Sequence, residues 1–517
     1  MSRIPCPLLM IPALVVLSPH GTAGNKSEIP PNIVLMLSDD MGWADPGFQG
    51  GDAMLTPHMD RLASMGLRLT QFYAHSVCAP TRSALMTGRY AFRNWMDWRS
   101  EDFGKPSYLA RLGMKLARHA DGQPTRMIHG LDTREYTLAE ALQAAGYFTV
   151  IAGKWHLGEW LPEHLPMGQG FEHQYGHYAW GIDYNNYTIP HNAPARFAVY
   201  DWHRNQQPLN EQGYSTDLIA NEAVRLISSH DANRPFFMYV PFNAIHGPLE
   251  QIPRYTDQLD KRSAALKCLD DAVGRIVGAI DQRGIANNTL VIFANDNGGL
   301  TQEVNRPYRG TKNTTFEGGV RVPCVVRWPG QILAGKTSNE MMHVVDLLPT
   351  LVNIGGGTTE PCRELDGIDM SGVILQQRAS QRTEVVYDVA GCVRLPTIRS
   401  GDYKLMGDML FNIRTDPSES TDIADRHPDV VSQLVARLDD LAAERPSLKD
   451  VPGTVGQLMD PELPWVYGQI ENQQPPAWLV NRMAQVRSRQ PQHWAEGKTP
   501  WPQAPTGATI KYTGDGR

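Results

Sequence analysis

Two short runs of unbroken apolar residues mark the chain, and both end on acids. Residues 33–37 read Ile-Val-Leu-Met-Leu and stop at Ser38-Asp39-Asp40. Residues 290–294 read Leu-Val-Ile-Phe-Ala and stop at Asn295-Asp296-Asn297-Gly298-Gly299. Apolar runs this short, with no polar alternation, predict parallel strands buried on both faces. Phe236-Phe237-Met238-Tyr239-Val240 predicts another. Between these runs, residues 137–145 and 215–229 repeat their apolar positions at helical spacing. Strands alternating with helices predict an α/β domain: a large mixed, mostly parallel sheet sandwiched by helices. Ligands of such sheets sit beyond the carboxyl ends of the strands, so two acid-tipped strands predict one shared site.

The pattern changes after about residue 376. Residues 383–389, 395–399, 403–406 and 409–413 are short strand-like pieces separated by turn residues, and 429–444 reads as a helix. Strands in a run followed by a helix predict a smaller C-terminal α+β domain with a short antiparallel sheet. From Pro452 the chain is rich in Pro, Gln and Trp without a clear period. The expected organisation is a leader over 1–24, a catalytic domain over 25–376, the α+β subdomain over 377–450 and a surface-wrapping tail over 451–517.

Composition narrows the function. The 517 residues carry a formal net charge of -7 with no basic stripe, which argues against nucleic acid and leaves any anionic substrate to local cations. Arg3, the mostly apolar residues 7–17 and Gly21-Thr22-Ala23 read as a signal peptide, predicting export to the periplasm or beyond. That apolar run is too short to span a bilayer comfortably, so no stable membrane insertion is expected. Cysteines stand at positions 6, 78, 268, 324, 362 and 392. Losing Cys6 with the leader leaves an odd number, so at least one stays outside any intramolecular bridge; a Cys362–Cys392 pair is open.

Taken singly, Asp39-Asp40 and Asp296-Asn297 are turn and helix-cap chemistry. Together, at matching strand ends, carboxylates and an amide carbonyl make the oxygen donor set of a hard cation such as calcium. Cys78-Ala79-Pro80-Thr81-Arg82 reads plainly as a buried cysteine opening a helix with Pro in its first turn, or as a thiol activated by that helix and Arg82.

The spacing C-x-P-x-R, followed by Leu85-Met86-Thr87-Gly88-Arg89, is more specific than either reading, and resembles the signature of the type I sulfatases. Gly153-Lys154-Trp155-His156-Leu157-Gly158 resembles that family's second signature. Ala244-Ile245-His246-Gly247-Pro248, Asp296-Asn297-Gly298-Gly299 and Gly310-Thr311-Lys312 with Glu317-Gly318-Gly319-Val320-Arg321 follow in the family's order. The resemblance covers about residues 31 to 350, and is greatest to arylsulfatase B-type N-acetylgalactosamine-4-sulfatases and similar bacterial glycan sulfatases. The family often has Ser where this chain has Thr81, another small hydroxyl residue.

The resemblance implies that a maturation enzyme oxidises Cys78 to formylglycine. One hydroxyl of its hydrate would attack sulfur, and the other would expel sulfate by re-forming the carbonyl. It implies calcium on Asp39, Asp40, Asp296, Asn297 and the modified Cys78, with Arg82 and His156 orienting the formylglycine. Lys154, His246 and Lys312 would bind sulfate, His246 also serving the leaving oxygen. Residues 176–187 lie where related enzymes shape the substrate pocket. Trp180 and Asp183 are the candidate sugar contacts there, although those aromatics would equally pack a loop. The implied partner is a sulfated carbohydrate, with a 4-sulfated galactose or N-acetylgalactosamine unit as first expectation. The alternatives are a phosphonate or phosphodiester hydrolase on the same scaffold, and a non-catalytic glycan-binding relative.

Overall fold

Asn32–Ser38 forms β1, and all seven of its residues are buried. It is the centre of a ten-stranded sheet in a computed structural model that describes residues 30–97, 130–159, 162–188, 200–389, 395–446 and 477–488. The remaining strands of this sheet are β2 (Leu67–Tyr73), β3 (Phe148–Lys154), β4 (His173–His177), β5 (His203–Arg204), β6 (Gln207–Pro208), β7 (Phe236–Pro241), β8 (Thr289–Asn295), β9 (Cys324–Arg327) and β10 (Lys336–His343). Their order is β10-β2-β9-β8-β1-β7-β3-β4-β5-β6. The five neighbours from β8 to β4 run parallel, while β9, β5 and β6 pair antiparallel. The apolar runs of the sequence are the middle of this parallel block, where both sheet faces are covered.

Helices cover the sheet in two groups. Pro57–Ser64, Ser215–Ser229 and Lys261–Gln282 pack together, as do Cys78–Thr87, Leu138–Ala144 and Leu347–Ile354. The helix expected over 137–145 starts where its chemistry dictates. Thr137 accepts from the Glu140 amide while Glu140 reaches back to the Thr137 amide, a reciprocal cap that satisfies two otherwise orphaned donors. Asp260 caps Lys261–Gln282 by accepting from the amides of Arg262 and Ser263.

Four further strands, β11 (Glu384–Asp388), β12 (Thr397–Ser400), β13 (Tyr403–Met406) and β14 (Met409–Asn412), make an antiparallel sheet against which helix Pro428–Ala443 packs. This sheet meets the large one through buried charge. Lys404 on β13 lies 3.0 Å from Glu317 and 2.8 Å from Glu419, all three inaccessible to solvent. The periodless stretch after Pro452 contains a helix, Ala477–Ser488, whose Leu479 is buried and whose Trp478 meets the edge of Tyr200. The expected leader and Cys392 lie outside the described residues. No helix among the described residues is long and apolar enough to cross a membrane.

Candidate active site

The sequence-predicted residues converge at the carboxyl ends of β8, β1, β7 and β3, four consecutive strands of the sheet. Ladder bonds hold the first two tips in register: the Asp296 amide donates to Ser38 O at 3.1 Å. Asn295 stitches them further, its Oδ1 accepting from Ser38 Oγ (2.7 Å) and the Met41 amide (3.2 Å). The β7 extension is laced to β1 by Asp39 N to Ala244 O (2.8 Å) and Ile245 N to Asp39 O (2.6 Å). That pairing delivers His246 beside Asp40, with Nε2 3.8 Å from Oδ2.

Helix Cys78–Thr87 points its first residue at the same place, and every residue of it is buried. Thr81 fixes the helix start by donating to Asp296 O at 2.7 Å. One turn after Cys78, the Arg82 guanidinium has no solvent exposure and ties three strand tips together. Its Nη2 lies 2.9 Å from Asp296 Oδ2 and 3.2 Å from Asp39 Oδ2, and its Nη1 donates to Lys154 O at 3.0 Å. Expected as an orienting group for residue 78, Arg82 in this geometry pairs with the acids that converge there.

Both lysines pair with acids. Lys154 Nζ lies 2.5 Å from Asp39 Oδ2, and Lys312 Nζ 2.5 Å from Asp40 Oδ1. Lys312 arrives on a loop whose backbone is tied to the site, its amide donating to Gly299 O and that of Asn313 to Ser76 O. Burial opposes ionisation of Asp39, but Lys154, His246, Arg82 and Lys312 outweigh it and hold the carboxyl far below its ordinary range. Burial and the Asp39 charge push Asp296 up to about 7. Burial raises the Cys78 thiol although Lys154 and Lys312 pull the other way, so the unmodified sulfur is a poor thiolate. His246 is depressed to about 4 by burial and by Lys312. His156, in a left-handed conformation with its amide on Tyr178 O, is held well below its ordinary value by burial and by Lys154.

Two oxygens at the centre are conspicuous. Asp39 Oδ1 and Asn297 Oδ1 are buried and have no hydrogen-bond partner among the described residues. Asn297 Nδ2 already serves Asp40 Oδ1 (2.8 Å) and Gly298 O (3.0 Å), so turning the amide over would set oxygen against oxygen. A buried acceptor without a donor is costly in a protein and is the expected surroundings of a hard cation. The donor atoms of Asp39, Asp40 and His246 lie within 4.8 Å of one another.

The pocket residues separate. Trp180 is partly exposed and meets the His246 ring edge-on at 5.7 Å. Asp183 is engaged locally: its carboxylate accepts from the amides of Asn185, Asn186 and Thr188 and from the Thr188 hydroxyl. Those bonds make Asp183 the organiser of its own turn. Tyr178, Tyr184 and Tyr187 are buried and pack the loop. Sequence reasoning passed over Asn295, which stood in view inside the polar strand tip. It also passed over Tyr184, whose partner His246 is 62 positions away and leaves no local signal.

The sulfatase family profile matches residues 31–357, and that of the N-sulphoglucosamine sulphohydrolase C-terminal region matches 311–444. The chain is 34% identical to N-acetylgalactosamine-6-sulfatase of Sus scrofa over 397 residues, 72% of each protein. Among solved structures it is similar to Ps i-CgsB in complex with k-i-k-neocarrahexaose, at 25% identity and TM-score 0.67, covering 91% of this chain and 100% of that one. It is also similar to the PsFucS1 sulfatase from Pseudoalteromonas sp., at 26% identity and TM-score 0.64, covering 82% and 92%. A profile match over residues 31–357 and a relative 34% identical over 72% of each protein leave one assignment: the protein belongs to the sulfatase family and is a sulfuric ester hydrolase.

Proposed function

We propose that the protein removes sulfate from a sulfated carbohydrate, with formylglycine made from Cys78 as nucleophile and calcium held by Asp39, Asp40, Asp296 and Asn297. The observation that carries this reading is the pair of buried oxygens on Asp39 and Asn297, unpartnered among the described residues, beside a helix-opening Cys78 and two lysines. When bound, calcium would supply a Lewis acid that draws charge from the sulfuryl oxygens. Formylglycine would supply the oxygen nucleophile that a buried, protonated thiol does not.

The chain's own residues do the rest. Lys154 and Lys312 offer cationic donors to the sulfate oxygens, in a site where burial strengthens each contact. Lys312 stays protonated: burial disfavours its charge, but Asp40 and the neighbouring anionic groups hold the ammonium above its ordinary range. His246 faces the leaving oxygen. A sulfate ester brings negative charge against the imidazole and raises its proton affinity from the depressed value set by burial, so substrate itself favours the protonated donor. Trp180 offers an aromatic face at the rim for a sugar.

The sugar is a galactose or N-acetylgalactosamine unit. The resemblance of the motifs suggested the 4-sulfate, whereas the pig relative is named for the 6-sulfate. At 34% identity over most of the chain, that relative favours the 6-position. Export follows from the leader-like start. The test is peptide mass spectrometry across Cys78 of protein produced with a maturation system, followed by sulfate release from 4- and 6-sulfated N-acetylgalactosamine with and without chelator. Conversion, calcium-dependent release and preference for the 6-sulfate are expected. Converted, calcium-loaded protein inactive on every sulfate ester, or faster on phosphate esters, overturns the reading.

A further inference from the structure

Of the three buried tyrosines in residues 176–187, Tyr178 bonds Gln174 and Tyr187 bonds Gly213 O, both within their own surroundings. Tyr184 reaches elsewhere. Its hydroxyl lies 2.7 Å from His246 O and 3.0 Å from Asn243 O, the two ends of the turn that delivers His246. We infer that Tyr184 is a positioning residue for the hydrolysis: its hydroxyl bridges these carbonyls and fixes the His246 imidazole relative to the scissile ester oxygen. The inference rests on the reading of His246 as the group that serves the leaving oxygen.

The geometry makes this hydroxyl a natural second anchor. On one side the segment is laced to β1: Phe242 N donates to Leu37 O (2.8 Å), and Asp39 and Ala244–Ile245 exchange the two bonds described above. The turn closes on itself through His246 N to Asn243 O at 2.9 Å. Beyond it, residues 247–250 are all partly exposed, so the chain leaves the packed interior directly after the catalytic histidine. The Tyr184 hydroxyl holds the turn at that point of departure. Tyr184 is itself immobile enough to serve. Its ring is fully buried and stacked on Tyr214, with centroids 4.7 Å apart and planes 13° from parallel, and its carbonyl accepts from Ser215 N at 2.9 Å. A buried tyrosine needs a partner for its polar end, and this one spends it on the site. His246 Nδ1 bonds the adjacent Gly247 O at 2.6 Å, so a shift of the backbone turn moves the ring with it. General-acid help depends steeply on such placement.

Tyr184→Phe deletes the hydroxyl and keeps ring and stack. Tyr214→Phe is the matched control, since its hydroxyl is buried without a hydrogen-bond partner among the described residues and does not touch the turn. Both are assayed as converted, calcium-loaded enzyme on N-acetylgalactosamine 6-sulfate, whose alkoxide is a poor leaving group, and on 4-nitrophenyl sulfate, whose phenolate leaves unaided. His246→Ala is measured first. It should lose far more rate on the sugar sulfate than on the aryl sulfate; equal losses would sink the reading of His246 itself. With that selectivity in hand, Tyr184→Phe is expected to lower kcat roughly tenfold on the sugar sulfate and less than about twofold on the aryl sulfate, with KM nearly constant. Tyr214→Phe should match the parent on both. Equal losses on the two substrates in Tyr184→Phe, or the same selectivity in Tyr214→Phe, overturn the positioning role.

Discussion

Asn297 donates its side-chain amide to Asp40 Oδ1 at 2.8 Å and leaves its own oxygen buried, with no donor to it among the described residues. The amide is thus oriented by an acid just past the end of β1.

Replacing Asn297 by Ala removes that oxygen and releases Asp40. Calcium should then stabilise the fold less, because a ligand at free concentration L that binds only the native state stabilises it by RT ln(1 + L/Kd), and a weaker site gains less at the same concentration. The calcium concentration for half-maximal activity is expected to rise at least about tenfold. A calcium-dependent melting shift equal to that of the parent would show that Asn297 is not part of a cation site.

Arg82 bridges Asp39 and Asp296 from 3.2 and 2.9 Å. Arg82→Met leaves two acids without their shared cation, at an expected cost of about 3–5 kcal/mol. Arg82→Lys keeps the charge but loses the fork that also reaches Lys154 O, and should fall between the two. Urea unfolding of the three proteins checks the ranking.

Stability should depend on pH through the junction of the two sheets. Burial, then the nearby Glu317 charge, pushes Glu419 up to about 7 against the pull of Lys404. A carboxyl raised in the folded state binds its proton more tightly there than when unfolded. Its contribution is therefore full below about 4.5 and is lost as pH rises through about 7. Over that window this group lowers stability by on the order of 1–3 kcal/mol. Glu419→Gln keeps an oxygen for the Glu317 amide and should flatten the slope, read by denaturant unfolding between pH 5 and pH 8.

Gly298 permits the closest backbone approach at the site. A Cβ there would sit 1.8 Å from Gly318 O, so the strand tip bearing Asp296 and Asn297 and the segment bearing Glu317 would be forced apart. Gly298→Ala should yield little soluble protein or a clearly lowered melting temperature. Parent-like melting would show that the two segments can separate without cost.

The sequence by itself determined the parallel core and the chemistry of its tips. Ile33–Leu37 and Leu290–Ala294 are apolar on every position, and that pattern is stable only where both sheet faces are covered. The acids that follow them, and Lys154 at the end of β3, had to emerge at the same edge because parallel neighbours end together. Family motifs carried the rest of the site, since Cys78, His246 and Lys312 in isolation are ordinary residues. Tertiary structure alone decided which polar groups face each other. Arg82 spanning two strand tips, Tyr184 reaching a turn 62 positions away, Lys404 pairing with Glu317 and Glu419, and Asp183 turning inward to hold its own loop are all pairings set by packing. Burial makes a partner obligatory for such groups, but the residue that supplies it is fixed by the folded topology, not by nearness in the chain.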